Sequence, residues 1–191
     1  MYHDQNIVDL LSVRQVRSFD GHVFRATRTN ADPTAPSSSG GRWAPAGEPE
    51  AGFLVLYTGL ERDGAIAEVG SFLADQNPPP REQPVKVSRL AVTARRTLTL
   101  LEADLSDLGV SPSKYGERDY HRTQQIGAAL IFLGHDGLLA PSARWNCQNL
   151  MLFADNHALN ERLEVVSSEE VGWRAWAVQH GLLTSDNREV R

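Results

Sequence analysis

The stretch from Gly40 to Glu68 limits the fold most. It runs Gly-Gly-Arg-Trp (40–43), a Pro-Ala-Gly turn (45–47), Phe-Leu-Val-Leu-Tyr-Thr (53–58) and Ala-Ile-Ala-Glu (65–68). The run at 53–58 is apolar and rich in β-formers, which predicts a buried strand. Behind it, Ala65, Ile66, Val69, Phe72 and Leu73 recur at helical spacing and form one stripe. Glu68 sits at the margin of that stripe. Helical side chains lean toward the preceding turn, so its carboxylate hangs over Gly64 and Ala65, which are too small to cover it. Arg42 on a glycine-freed backbone, Tyr57 at a strand end and Glu68 on a helix are thus candidates to converge on one polar ligand. The residues alone equally allow an ordinary strand and helix, with Glu68 a solvated helix glutamate.

The flanks fill in the class. Residues 14–28 read as two short strand-like pieces around the turn dipeptide Asp20-Gly21. The second alternates, with Phe24 and Ala26 on one face and Val23, Arg25 and Thr27 on the other. A polar loop covers 29–41; loops of this length are usually functional or disordered. Asn77-Pro-Pro-Pro80 ends the first helix. Two strands follow, Val85–Val92 and Thr97–Leu101, then an irregular stretch over 104–114. A helix is expected from about Asp119 to Leu133, with Ile126, Ala129, Leu130 and Leu133 inward and Gly134 as its stop. Strands at Gly137–Ala140 and Asn149–Phe153 are joined by Pro-Ser-Ala-Arg-Trp-Asn (141–146). Ser167-x-x-Glu170 has capping-box spacing and predicts a last helix through His180, with Trp173, Trp176 and Ala177 as core. About six or seven short strands and three helices, without steady alternation, argue for an α+β fold made of mixed small sheets. One domain is expected over 1–191, with its core at 14–182 and a frayed tail at 185–191.

Composition and motifs exclude more than they select. A chain of 191 residues buries roughly 70% of its unfolded surface and needs no staples. A net charge of −5 and a pI of about 5.7 argue against direct nucleic-acid binding. The lone Cys147 fits a reducing compartment. No apolar run approaches the ~18 residues of a membrane span, and the start lacks a signal-like core, so a soluble cytoplasmic protein is expected. No dinucleotide-binding glycine fingerprint follows a strand. Gly59 and Gly64 have P-loop spacing, but Ala65-Ile66 stand where Lys and Ser/Thr are needed. No metal site is expected, because the six histidines include no pair at helical ligand spacing. His121 and His135 read as surface or cap residues. Cys147 has no visible base beside it, and Gly-x-Ser-x-Gly is absent.

Four segments together resemble the RES-domain family, the toxins of bacterial toxin–antitoxin pairs whose antitoxin is an Xre-like helix-turn-helix protein. They are Phe-Arg-Ala (24–26), Gly-Gly-Arg-Trp (40–43), Leu-Tyr-Thr…Ala-Ile-Ala-Glu (56–68) and Pro-Ser-Ala-Arg-Trp…Asn-Leu-Met-Leu-Phe (141–153). They stand in the family's order and cover most of 22–155. The family's arginine, glutamate and serine fall on Arg42 (with Arg25 as a second arginine), Glu68 and Ser142, and its tyrosine on Tyr57. One departure is Ala44, where the family often has Asn.

The resemblance implies a fold similar to ADP-ribosylating toxins and an activity that destroys NAD+ as substrate, with no cofactor. Family members split the nicotinamide–ribose bond with water or inorganic phosphate; an ADP-ribosyltransferase acting on a macromolecule is the alternative. Nicotinamide leaves NAD+ as a neutral molecule, so a single anion beside the ribose suffices where an ordinary glycosidase needs two carboxylates. Glu68 is the candidate anion, Tyr57 the stacking ring for nicotinamide, and Arg42, then Arg25, the forks for the substrate's phosphates. Ser142 is expected to hydrogen-bond the substrate, although the residues alone make it a turn residue after Pro141. Asn149 is a further candidate near the site. Arg144 and Trp145 read equally as packing and a surface ion pair. The implied partner is the Xre-like antitoxin, which would carry the DNA contact; a homodimer stays open.

Overall fold

The computed structural model describes residues 4–46, 53–80 and 83–184. In order, these form α1 (Gln5–Ser12), β1 (Val16–Arg28), β2 (Val55–Gly59), α2 (Arg62–Ala74), β3 (Pro84–Thr99), α3 (Glu102–Asp107), a 3-10 turn (Pro112–Lys114), α4 (His121–Phe132), β4 (Gly137–Pro141), β5 (Gln148–Phe153), β6 (Leu163–Gly172) and α5 (Trp173–Gln179). The result is a mixed α/β domain. Gly47 of the expected 45–47 turn and the expected frayed tail lie outside the described residues.

All six strands join one sheet, ordered β1-β2-β5-β4-β3-β6, rather than several small ones. An extra β1–β3 pairing brings this sheet round on itself. β1 runs antiparallel to β3 along nearly its whole length, yet meets β2 at a single pair, Phe24↔Gly59. The circuit is therefore closed on one side of β1 and splayed on the other. Alternate residues of β5 feed different cores: Leu150 and Leu152 pack with Val23, Leu56 and Leu90, whereas Met151 and Phe153 pack with α1 and α4. That is the period-two rule of a strand buried on both faces. A third core lies between α2, α5 and β3, with Ile66, Trp173 and Trp176.

Several expectations change. Asp20-Gly21 lies inside β1, and the two pieces expected around it are one strand. The long β3 ladder outweighs one local turn signal, and the Phe19 ring covers the space a Gly21 side chain would fill, 3.2 Å from the ideal Cβ. The strands expected at 85–92 and 97–101 are likewise one strand, β3. Ser167-x-x-Glu170 caps nothing: it lies in β6, where Ser168 bonds Ser88 at 2.8 Å and the backbone pairs with β3. The last helix starts only at Trp173. There are five α-helices among the described residues, the short α1 and α3 being the additions. Phe72 is 53% exposed rather than part of the buried stripe, because α2 buries its small residues Gly64, Ala65, Ala67, Gly70 and Ser71 together with Ile66. His135 is buried, its Nδ1 3.1 Å from the Arg96 carbonyl. Gly134 does end α4 in the left-handed conformation (φ 76°) that its terminus requires.

Candidate functional site

The splayed seam between β1 and β2 opens into a cavity of about 360 Å³. Arg25 of β1, Tyr57 of β2, Glu68 of α2, Arg42 of the 41–44 turn and Asn149 of β5 all line it. Glu68 is the only carboxylate among the lining residues, against four guanidiniums: Arg25, Arg42, Arg118 and Arg144. The strand–helix unit expected from 40–68 thus does bring Arg42, Tyr57 and Glu68 around one space.

Arg42 is positioned from below and from both sides. Gly41 and Ala44 close its turn through a 2.8 Å backbone bond, and Gln124 of α4 donates to the carbonyls of both. The turn presses so closely on α4 that a Cβ on Gly127 would lie 1.9 Å from the Trp43 carbonyl oxygen. The Arg42 guanidinium lies over Tyr115 (4.5 Å) and Tyr120 (4.8 Å). Each such contact contributes ~0.5–2 kcal/mol and holds the head without using its in-plane donors. Only one long bond, 3.4 Å to the Glu117 carbonyl, draws on them. Tyr57 is tied under the same turn: its hydroxyl accepts from the Trp43 N–H at 3.2 Å, and burial pushes its pKa up to about 12.

Arg25 has other work. Its Nη1 donates to the carbonyls of Pro33 (2.9 Å) and Ala35 (2.6 Å), pinning the 29–41 loop. Burial lowers its pKa, an effect the nearby Asp32 opposes. Arg118 is paired with Asp75 and lies 5.6 Å from the Phe72 ring centre. The Arg144 guanidinium has no hydrogen bond or ion pair among the described residues, which makes it the least committed cation in the cavity wall.

Glu68 is held by one oxygen. Its Oε1 accepts from the Ser142 hydroxyl at 2.7 Å and from Asn149 Nδ2 at 2.8 Å; no group among the described residues donates to Oε2. Ser142 does not line the cavity. Its oxygen already accepts from the backbone N–H groups of Arg144 (3.1 Å) and Trp145 (3.2 Å), so its one proton is aimed at Glu68. Ser142, expected to bond the substrate, here bonds the glutamate. Trp145 joins Trp176 and His180 in an aromatic cluster outside the cavity, with ring centres 5.5 and 5.4 Å away. Burial pushes the Cys147 thiol up to about 11, which disfavours the thiolate a nucleophile needs.

Sequence reasoning passed over Tyr115, Arg118 and Tyr120, which complete the cavity beside Arg42. Tyr115 and Arg118 fall between the stretch read as irregular and the helix expected from about Asp119, and Tyr120 at the start of that helix, without periodicity to mark them. Two tyrosines and an arginine within six positions were the only signal.

Comparison with known proteins places these observations in a family. A family model described as RES domain matches residues 15–174. No curated protein matches. Among solved structures, a chain in the crystal structure of the M. tuberculosis MbcT–MbcA toxin–antitoxin complex is similar, with a TM-score of 0.74. The likeness covers 91% of this chain and 96% of that one at 18% identity, so it speaks for the fold. The model match takes in the arginine turn, the strand–helix unit and the serine turn: this chain belongs to the RES domain family.

Proposed function

We propose that this protein is the toxin of a toxin–antitoxin pair and depletes NAD+ by cleaving its nicotinamide–ribose bond. The observation that carries this reading is the single carboxylate, bonded at Oε1 alone, in a cavity whose other charged lining residues are four arginines. Such a cavity suits a substrate with an anionic middle and a reacting centre that turns cationic. As nicotinamide departs, positive charge grows on the ribose, and a fixed anion there lowers the barrier without reorganising. No general acid is called for, because the leaving group departs neutral. Arg42 and Arg144 serve the pyrophosphate; Arg144 replaces Arg25, whose donors hold the loop. Tyr57 offers its ring to the nicotinamide from beneath the arginine turn.

Water or inorganic phosphate acts as acceptor; phosphate approaching Glu68 needs a nearby cation, for which the arginines of the cavity wall are the candidates. The antitoxin, an Xre-like protein in this reading, silences the enzyme by covering the cavity mouth. Incubating the pure protein with NAD+, with and without phosphate, tests the reading. Free nicotinamide should appear, and the other product identifies the acceptor. Intact NAD+ in the presence of folded protein overturns the reading, and label retained on a macromolecule would turn it toward ADP-ribosyl transfer. Arg42→Lys should raise KM for NAD+ by about tenfold, because an ammonium cannot reproduce the planar fork or its fit between two tyrosine rings.

A further inference from the structure

Asn149 sits on β5 between two strands, its backbone in register with Gly59 of β2 and Ala140 of β4. Its backbone is held on both sides, and its Nδ2 donates to Glu68 Oε1 at 2.8 Å. The other end of the same amide is unusual: Oδ1 is buried and has no hydrogen-bond partner among the described residues. Turning the amide over would set Oδ1 against the carboxylate, so the orphan oxygen follows from serving Glu68. An apolar residue of similar size would fill this place without leaving any buried acceptor unsatisfied. The bond to the glutamate accounts for that stability cost.

We propose that Asn149 is a positioning residue: with Ser142 it anchors Oε1 and so assigns Oε2 as the oxygen that faces the ribose. This rests on the NAD+-cleaving reading of the cavity. The two donors reach one oxygen from different elements, Asn149 from β5 and Ser142 from the turn after β4. Together they fix both the position and the rotation of the carboxylate. An unanchored carboxylate would spread over several rotamers and meet the sugar in few of them. Asn149 itself gains no bond to the substrate, so its loss should appear in the chemical step and leave substrate binding alone.

The test compares steady-state NAD+ cleavage by Asn149→Ala, Asn149→Asp and Ser142→Ala. Asn149→Ala should lower kcat on the order of 10- to 100-fold, as loss of one hydrogen bond to a charged group does, with KM within about twofold. Asn149→Asp should fall further, because it sets a second carboxylate against the first. Combining Asn149→Ala with Ser142→Ala should cost less than the product of the single losses, since both act on one oxygen. A raised KM at unchanged kcat would show Asn149 touching the substrate and overturn the proposal, as would wild-type kinetics. If the unmodified protein leaves NAD+ intact, the functional reading falls separately. Crystal structures of the wild type and Asn149→Ala then decide: a displaced Glu68 carboxylate supports the anchoring role, and an unmoved one ends it.

Discussion

Two groups of carboxylates differ in a way that separates structure from chemistry. Asp136 and Glu161 lie where β3 changes neighbour, from β6, which pairs with it as far as Val92, to β4, which pairs from Thr97. The N–H groups of Arg95 and Arg96 fall in the gap between those strands. Asp136 accepts from both at 2.7–2.9 Å, and Glu161 accepts from Arg95 at 3.0 Å and from Ala158 at 2.7 Å. Both side chains are buried, and every oxygen is taken. They stand in for a missing strand. Glu68 lines a cavity and has both its donors on one oxygen, with none among the described residues on the other. A carboxylate spent on backbone amides holds the chain; one left half-bound is available to a substrate.

The largest effect should come from the open one. Glu68→Gln keeps the shape and an oxygen for Ser142 and Asn149, but removes the charge proposed to steady the ribose. NAD+ cleavage should fall roughly 10²- to 10³-fold, the scale of losing one preorganised electrostatic contact. The melting temperature should barely move. Undiminished nicotinamide release would break the contrast outright, leaving Glu68 as structural as Asp136.

Asp136→Ala is the converse. It strips Arg96 of its acceptor and Arg95 of one of two, at about 1–3 kcal/mol for a buried amide left unsatisfied. At ~2–4 °C per kcal/mol for a chain of this size, a loss of several degrees in Tm is expected. Turnover per folded molecule should be unchanged. A loss of activity without a loss of stability would mean that the junction reaches the cavity.

The sequence made one of these groups visible and hid the other, for a physical reason. Arg42, Tyr57 and Glu68 lie close in the chain, on a unit whose period switches from two to 3.6, so local pattern alone could bring them together. The place of Glu68 at the edge of the buried face of α2 was legible, although Gly64 and Ala65, read as leaving it uncovered, are themselves buried. Asp136 and Glu161 meet only because β3 is one long strand with two successive partners on one edge, and the sequence read it as two. Ser142 was found but its bond to Glu68 was not: its two backbone donors come from a turn whose geometry no spacing records. Ser167-x-x-Glu170 misled in the opposite direction, because a cap signal is worth about 1 kcal/mol and a strand ladder along β3 outweighs it. Asp4, which caps α1 through the N–H groups of Asn6 and Ile7, shows the same type of signal in a setting where nothing competed with it.

The smallest expected effect, a pH dependence, sharpens the contrast most. Burial, with Glu161 adding to it, holds the pKa of Asp136 above the usual carboxylate value of 3.8, although the Arg95 and Arg96 N–H groups pull the other way. The folded protein therefore keeps a proton on Asp136 after the unfolded chain has released it. Stability from this group is fully present below 3.8 and declines as pH rises through the window from there to the raised value, because the unfolded state binds fewer protons. Other groups also titrate on the acid side of neutral, notably His135, whose pKa burial lowers from the usual 6.5. The measurement is therefore a difference: unfolding free energy of the wild type minus that of Asp136→Asn, which cannot ionise, across a pH series. That difference should shrink as pH rises through the window. A flat or growing difference would mean that the N–H groups outweigh burial, and that Asp136 is an ordinary anion bound by two amides rather than a strained one sealed against a second carboxyl.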